Sequence, residues 1–274
     1  MINDRRGRID YDETGQGPTQ GPTLVLVPGS CSTGAAWRPL MSHWKDRFRC
    51  VTTSLLGYGG TAERRTPDNT DIALEAEMIE RVIAHTAAPV HLIGHSFGGL
   101  AALAVALRHP HLLRSLTILE APVPEILRHA QEEAHYRAFR NMTTTYFAAF
   151  QTRQANAIER MIDFYGGVGT FAGWPQRVRD YAVETTAVNL LDWASAYGFA
   201  VTPSLLKKVA VPTLVVWGEK SNAAVRRANE LLGRSIPEAR LAIVPGAAHF
   251  MIATHANQVA GLVTEHLDHA MAQA

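Results

Sequence analysis

A chain of 274 residues, 47% hydrophobic and 19% charged, carries enough apolar material for one large α/β domain or a domain with an insertion, and it is not a disordered chain. A formal net charge of +1 leaves no footprint for nucleic acid or a membrane surface. Two cysteines, Cys31 and Cys50, are too few for a disulfide framework; one bridge is open to them, and two reduced thiols are the simpler reading.

The N-terminal MINDRRGRIDYDE has basic residues but no apolar stretch after them, so it is no secretory signal, and no later run is long enough to span a bilayer. A soluble cytoplasmic protein is the expectation. The Gly/Pro-rich TGQGPTQGPT over 14–23 predicts a surface turn. Strands are predicted at Thr23–Val27, Phe48–Thr53, Val90–Gly94, Ser115–Glu120, Thr213–Trp217 and Arg240–Val244. Several are apolar on both alternations, as when helices cover both sheet faces. Helical patterns fill the intervals: Asp71–His85, Phe97–Arg108, Asn222–Gly233 and His255–Ala270. From Pro124 to about Lys208 the pattern is helical and rich in aromatics, with no convincing strand. The alternation predicts an α/β fold with a mainly parallel, doubly wound sheet. The helical block reads as a cap inserted before the penultimate strand. Most of its aromatics are expected to pack its own core, with one or two facing a ligand.

The strongest chemical signal is LIGHSFGG. Gly94-His95-Ser96-Phe97-Gly98 fits G-x-S-x-G, follows a buried strand and opens an apolar helix. Small flanking residues permit the sharp turn that projects a serine hydroxyl, and the helix N-terminus favours developing negative charge. A hydroxyl nucleophile needs a base. His249 lies in the loop after the last strand, at the same sheet edge as Ser96 in a parallel sheet. His255 is its near rival, at the start of the last helix. His95 is held within the elbow, and His85, His109, His111, His266 and His269 read as surface residues. The first buried strand leaves through Pro28-Gly29-Ser30, so the backbone N–H groups of Ser30 and Phe97 are the expected oxyanion donors.

At these residues the chain resembles the α/β-hydrolase superfamily. The elbow, the Pro-Gly-Ser turn, LLGYGGTAERR at Leu55–Arg65 and VPGAAHF fall in that family's order and spacing, over essentially the whole chain. The first turn departs slightly, since many members have His-Gly where this chain has Pro28-Gly29. The resemblance implies an α/β-hydrolase core domain over 1–123 and 209–274, with 124–208 as the helical cap.

The family usually carries its acid three residues beyond a glycine, after the strand that follows the cap. Here that position is Ser221, which cannot hold an imidazolium electrostatically, and Glu219 comes too early in the turn. Some members carry the acid just before the cap, which points to Glu120. It is flanked by Leu119 and Ala121, where a carboxylate is costly unless paired, and a bond to the histidine would supply the pairing. Glu120 is therefore the expected acid, Glu219 the second choice, and Glu125 or Asp192 the remaining ones. The pre-cap glutamate, PGAAHFMIATH and the cap Trp-Ala-x-x-Tyr at Trp193–Tyr197 partly resemble zearalenone-type lactone hydrolases. That likeness implies a substrate contact for Trp193.

Other signals fall away. GGVGTFA at Gly166–Ala172 lacks the preceding strand of a dinucleotide site and reads as a loop. LLGYGGT lacks the Gly-Lys-Ser/Thr of a phosphate loop, and HAQEEAH spaces its histidines off a shared helical face, so no metal site is expected. The expectation is a serine hydrolase of a small, apolar carboxylic ester or lactone, without a cofactor. Hydrolysis of a carbon–carbon bond in a diketone is the runner-up, and a non-catalytic ligand receptor is the reading from another class.

Overall fold

The computed structural model describes residues 1–14, 21–86 and 88–273. In chain order the strands are β1 Ile2–Asp4, β2 Gly7–Ile9, β3 Asp12–Thr14, β4 Thr23–Val27, β5 Arg49–Thr52, β6 Val90–His95, β7 Leu113–Leu119, β8 Thr213–Gly218 and β9 Arg240–Val244. Seven of these form one sheet, in the order β3-β5-β4-β6-β7-β8-β9. Only β3 runs antiparallel to its neighbour; the ladders from β5 across to β9 are parallel. β1 and β2 make a separate hairpin in which Ile2 and Ile9 stand opposite each other, both buried.

The six expected strands are present to within a residue or two at each end. Of the surface turn expected over 14–23, residues 15–20 lie outside the described residues. Apolarity on both alternations has its predicted cause. Along β4, Val25 and Val27 join the core on one face, while Leu24 and Leu26 join the core on the other. β8 divides the same way, Val215 and Trp217 against Leu214 and Val216. Helices Ala73–Ile83, Phe97–Arg108 and Ala223–Ser235 cover the first face; Arg38–Trp44 and Ala256–Ala272 cover the second. Phe97–Arg108 is apolar all round because its neighbours enclose it: ten of its residues, Phe97 to Ala106, are buried.

Between β7 and β8 the described chain is helical, from Pro124 to Leu206. The helical run is broken within itself: Gln131, at φ 58°, separates Pro124–His129 from Glu133–Gln151, and Thr185 separates Gln176–Glu184 from Thr186–Gly198. GGVGTFA follows a helix, Glu159–Gly166, and runs into the helical turn Thr170–Gly173, so part of the expected loop is helical. The core of the first sheet face continues without a gap into this insertion, through Phe139, Tyr146, Phe171 and Trp193. Among the described residues, no helix is long and apolar enough to cross a membrane.

One histidine departs from expectation. Its place on the last helix predicts a surface position for His266, yet only 1% of it is exposed. It lies on the face of Ala256–Ala272 that also buries Val259, Val263 and Leu267, where helical spacing carries it inward. Burial pulls its imidazole down to about 4, so it is neutral at physiological pH.

Candidate active site

Parallel strands end at a common edge, and that edge gathers the turns after β4, β6, β7, β8 and β9. β6 stops at His95, and Ser96 turns into the helix with φ 53° and ψ −128°, a backbone state that costs about 1–3 kcal/mol and must be held by its surroundings. Part of that hold is a bond from the Ser96 N–H to the Leu119 carbonyl at 2.9 Å. The turn after β4 presses on the elbow from the other side. A Cβ at Gly29 would lie 2.8 Å from the Ser96 Cβ, and one at Gly98 would lie 2.3 Å from the Pro28 carbonyl oxygen. The backbones at Ser30 and Phe97 are thereby neighbours, and both residues line the same cavity as Ser96.

Glu120 follows β7 directly, also at positive φ, 53°, with its N–H on the Val216 carbonyl. Its carboxylate is fully buried and has two partners. Oε1 accepts from the Gly218 N–H at 3.3 Å, and Oε2 accepts from His249 Nδ1 at 2.7 Å. A carboxylate accepts only, so Nδ1 carries the imidazole proton and Nε2 is left as the acceptor. Nε2 stands 3.0 Å from Ser96 Oγ, which donates to it. Ser96, His249 and Glu120 thus converge at one edge of the sheet.

The other candidates are engaged elsewhere. Glu219 is exposed, and its Oε2 accepts from the Gly246 N–H at 2.8 Å. Glu125 holds Arg128 and Tyr136. Asp192 is buried but accepts from Ser30, Tyr58 and Arg65. Ser221 is buried with no partner on its hydroxyl among the described residues. His255 stands just before the last helix, with Nδ1 at 2.8 Å from Thr254 Oγ1.

Three contacts to His249 were not legible in the sequence. His95 Nε2 donates to the His249 carbonyl at 3.0 Å, tying the His249 loop to the turn at Ser96. Burial, then the nearby His249, pulls the His95 imidazole down to about 3, so it stays a neutral donor. The Tyr165 ring, from the insertion, lies with its centroid 4.2 Å from that of His249. Phe250 packs edge-on at 5.1 Å. Cys31 and Cys50 are free, and Cys31 lines the cavity. Burial, then the Asp192 charge, pushes the Cys31 thiol up to about 12, which favours the thiol over the thiolate.

Ser96 and His249 open onto a cavity of about 420 Å³. Tyr165, Trp174 and Trp193 from the insertion and Phe250 from the loop after His249 form its aromatic wall. No lysine or arginine among the described residues lines it. No cluster of His, Cys, Asp or Glu among the described residues could hold a metal ion.

The family model for the alpha/beta hydrolase fold matches residues 22–256. A pimeloyl-[acyl-carrier protein] methyl ester esterase of Aeromonas hydrophila subsp. hydrophila is 26% identical over 252 residues, 87% of this chain and 92% of that protein. Two solved structures share the architecture. Est816, an N-acyl homoserine lactone degrading enzyme, superposes with a TM-score of 0.73 at 19% identity, over 94% of this chain and 96% of its own. A thermophilic esterase from Thermogutta terrifontis gives a TM-score of 0.73 at 20% identity, over 96% and 93%. With that match spanning most of its length, on a sheet of this topology, the chain belongs to the alpha/beta hydrolase fold family and is an enzyme of that family.

Proposed function

We propose that this enzyme is a serine hydrolase that cleaves an uncharged carboxylic ester or lactone through an acyl-enzyme. The observation that carries the reading is the unbroken run of hydrogen bonds from Glu120 through His249 to Ser96, opening onto an apolar cavity. Ser96 Oγ attacks the carbonyl carbon as His249 Nε2 takes its proton. The carbonyl oxygen becomes an oxyanion held by the backbone N–H groups of Ser30 and Phe97. The intermediate collapses, the C–O bond to the alkoxide breaks, and His249 returns the proton to the departing oxygen. In a lactone that alcohol stays tethered to the acyl group. Water, deprotonated by His249, then attacks the acyl-enzyme and releases the acid and Ser96. Glu120 keeps the proton on Nδ1 and balances the imidazolium formed in each step.

Residues 124–208 act as the cap in this reading, with Trp193 against the substrate. An aromatic wall without basic side chains suits an apolar, uncharged acyl or alkyl group. The names of the Aeromonas relative, a methyl ester esterase, and of Est816 are in keeping with ester or lactone chemistry. Two free cysteines fit a reducing compartment such as the cytoplasm.

A panel of aryl esters, lactones and ring-cleavage diketones, with active-site labelling by a fluorophosphonate, tests the proposal. Turnover is expected on an ester or lactone, with labelling at Ser96. Ser96→Ala is expected to lower kcat by about 10⁴-fold or more while the circular dichroism spectrum is kept. Turnover within tenfold of wild type in that variant would refute the nucleophile. Turnover of the diketones alone would move the reaction to carbon–carbon bonds.

A further inference from the structure

We propose that Asp192 is a positioning residue for both oxyanion donors, and that it holds them from the same helical turn that carries Trp193. The inference rests on the assignment of Ser30 and Phe97 as those donors. Asp192 lies in helix Thr186–Gly198, 2% exposed, at the border of the cavity. Its Oδ2 accepts from the Ser30 hydroxyl and from the Tyr58 hydroxyl, each at 2.6 Å. Its Oδ1 accepts from Arg65 Nη1, also at 2.6 Å. Arg65 is fixed in turn by Glu63, by Glu75 at 3.2 Å and by the Leu56 carbonyl. The Arg65 guanidinium carbon lies 5.9 Å from the centre of the Phe97 ring. One buried ion pair therefore reaches both donor residues, Ser30 by a hydrogen bond to the carboxylate and Phe97 by the guanidinium set over its ring.

Positioning explains this arrangement better than electrostatics. Arg65 is surrounded by the carboxyl groups of Asp192, Glu63 and Glu75, so the cluster offers no net positive charge to a developing oxyanion. A buried ion pair is also a poor source of stability, since apolar residues of similar volume often replace it without loss. Ser30, by contrast, needs an anchor. It sits in an irregular turn between β4 and the short helix at Gly34, followed by Cys31 at φ 55°, and no sheet ladder reaches it. A side-chain tether from Ser30 Oγ fixes the direction of the adjoining N–H. Misplacing such a donor by about 1 Å is enough to lose about 100-fold in rate.

The tether also joins substrate binding to catalysis. Asn189, Asp192, Trp193 and Ala196 occupy one helical face, and all four line the cavity. A substrate seated against Trp193 holds the turn that holds Ser30. The loss of the tether should therefore appear in the chemical step rather than in ground-state affinity.

The test compares wild type, Asp192→Asn, Ser30→Ala and the double variant on an aryl ester that wild type turns over, with a trifluoromethyl ketone as the tetrahedral analogue. Ser30→Ala keeps the backbone N–H and the ion pair. Both single variants are expected to lower kcat by about 10- to 100-fold with KM changed less than about threefold. Affinity for the trifluoromethyl ketone should fall by the same factor as kcat/KM, and the double variant should be no worse than the weaker single variant. Wild-type kcat in both singles, a loss confined to KM, or fully additive losses would overturn the positioning role. Fluorophosphonate labelling separates this from the parent reading. If wild type is labelled at Ser96 but the variants keep their kcat, only the positioning role falls; if Ser96 is not labelled, both fall. Should Asp192→Asn lose its native circular dichroism spectrum, Ser30→Ala decides alone.

Discussion

An imidazole with its Nδ1 proton committed to a carboxylate has one nitrogen left, and in this chain that nitrogen meets Ser96. The commitment is what Glu120→Gln would undo. With the Gly218 N–H held on the side-chain oxygen, a glutamine turns its NH₂ towards Nδ1. Nδ1 must then accept, Nε2 carries the proton, and the Ser96 hydroxyl loses its acceptor. The expected loss in kcat is about 10²- to 10⁴-fold, as for a base in the wrong tautomer. Glu219→Gln keeps an acceptor for the Gly246 N–H at an exposed site and should change kcat by less than about threefold. Steady-state kinetics on both variants decides, and the reverse order would return the acid to the later turn. Ser96 was readable because the glycines of its motif stand in sequence around it. Tyr165 on His249 was not, because nothing local tells one aromatic of a helix packed in a core from another turned to a cavity.

At the scale of elements, the elbow and the turn after β4 form one mechanical unit. Gly98→Ala places a methyl group against the Pro28 carbonyl oxygen, and backbone on both sides leaves little to yield. The expected cost is about 1–3 kcal/mol of stability, with a fall in kcat as the two turns part. Urea unfolding with parallel kinetics checks it; an unchanged midpoint and rate would mean that the turns do not bear on each other. The buried strands were legible because burial on both faces writes continuous apolar runs. β1, β2 and β3 were not, since each is three residues long and largely polar. β3 is held by its ladder to β5 and by the pairing of Glu13 with Arg49. The position of Asp192 left no clear signal. Asn189, Asp192, Trp193 and Ala196 share one helical face by their spacing, but two of the four are polar, so apolar periodicity does not mark that face as buried.

Across the whole molecule, neutral histidines sit inside a chain that must unfold into water. Burial lowers His91 and His266 to about 4 from an ordinary 6.5. Because the folded value lies below the unfolded one, the unfolded chain binds these protons first. Their stability is full above about pH 6.5 and is lost as pH falls towards 4. Glu75 works in the opposite sense: burial raises its carboxyl from 4.5 to about 7, so its contribution is lost as pH rises through that interval. His266→Leu isolates one histidine. The difference in unfolding free energy between pH 7.5 and pH 4.5 should shrink by about 2 kcal/mol relative to wild type. Urea titrations at the two pH values measure it, and an unchanged difference would mean that His266 is protonated inside the fold.

By itself the sequence determined the alternation of buried strands and helices, the serine elbow and the loop that carries His249, because each is written in neighbouring residues by periodicity or turn chemistry. Only the tertiary structure decided which carboxylate meets His249, which aromatics turn to the cavity, and that Arg65 and Asp192 bridge the insertion to both turns at the serine. Those contacts join residues up to 162 positions apart, as between Ser30 and Asp192, and distance along the chain carries no record of distance in space.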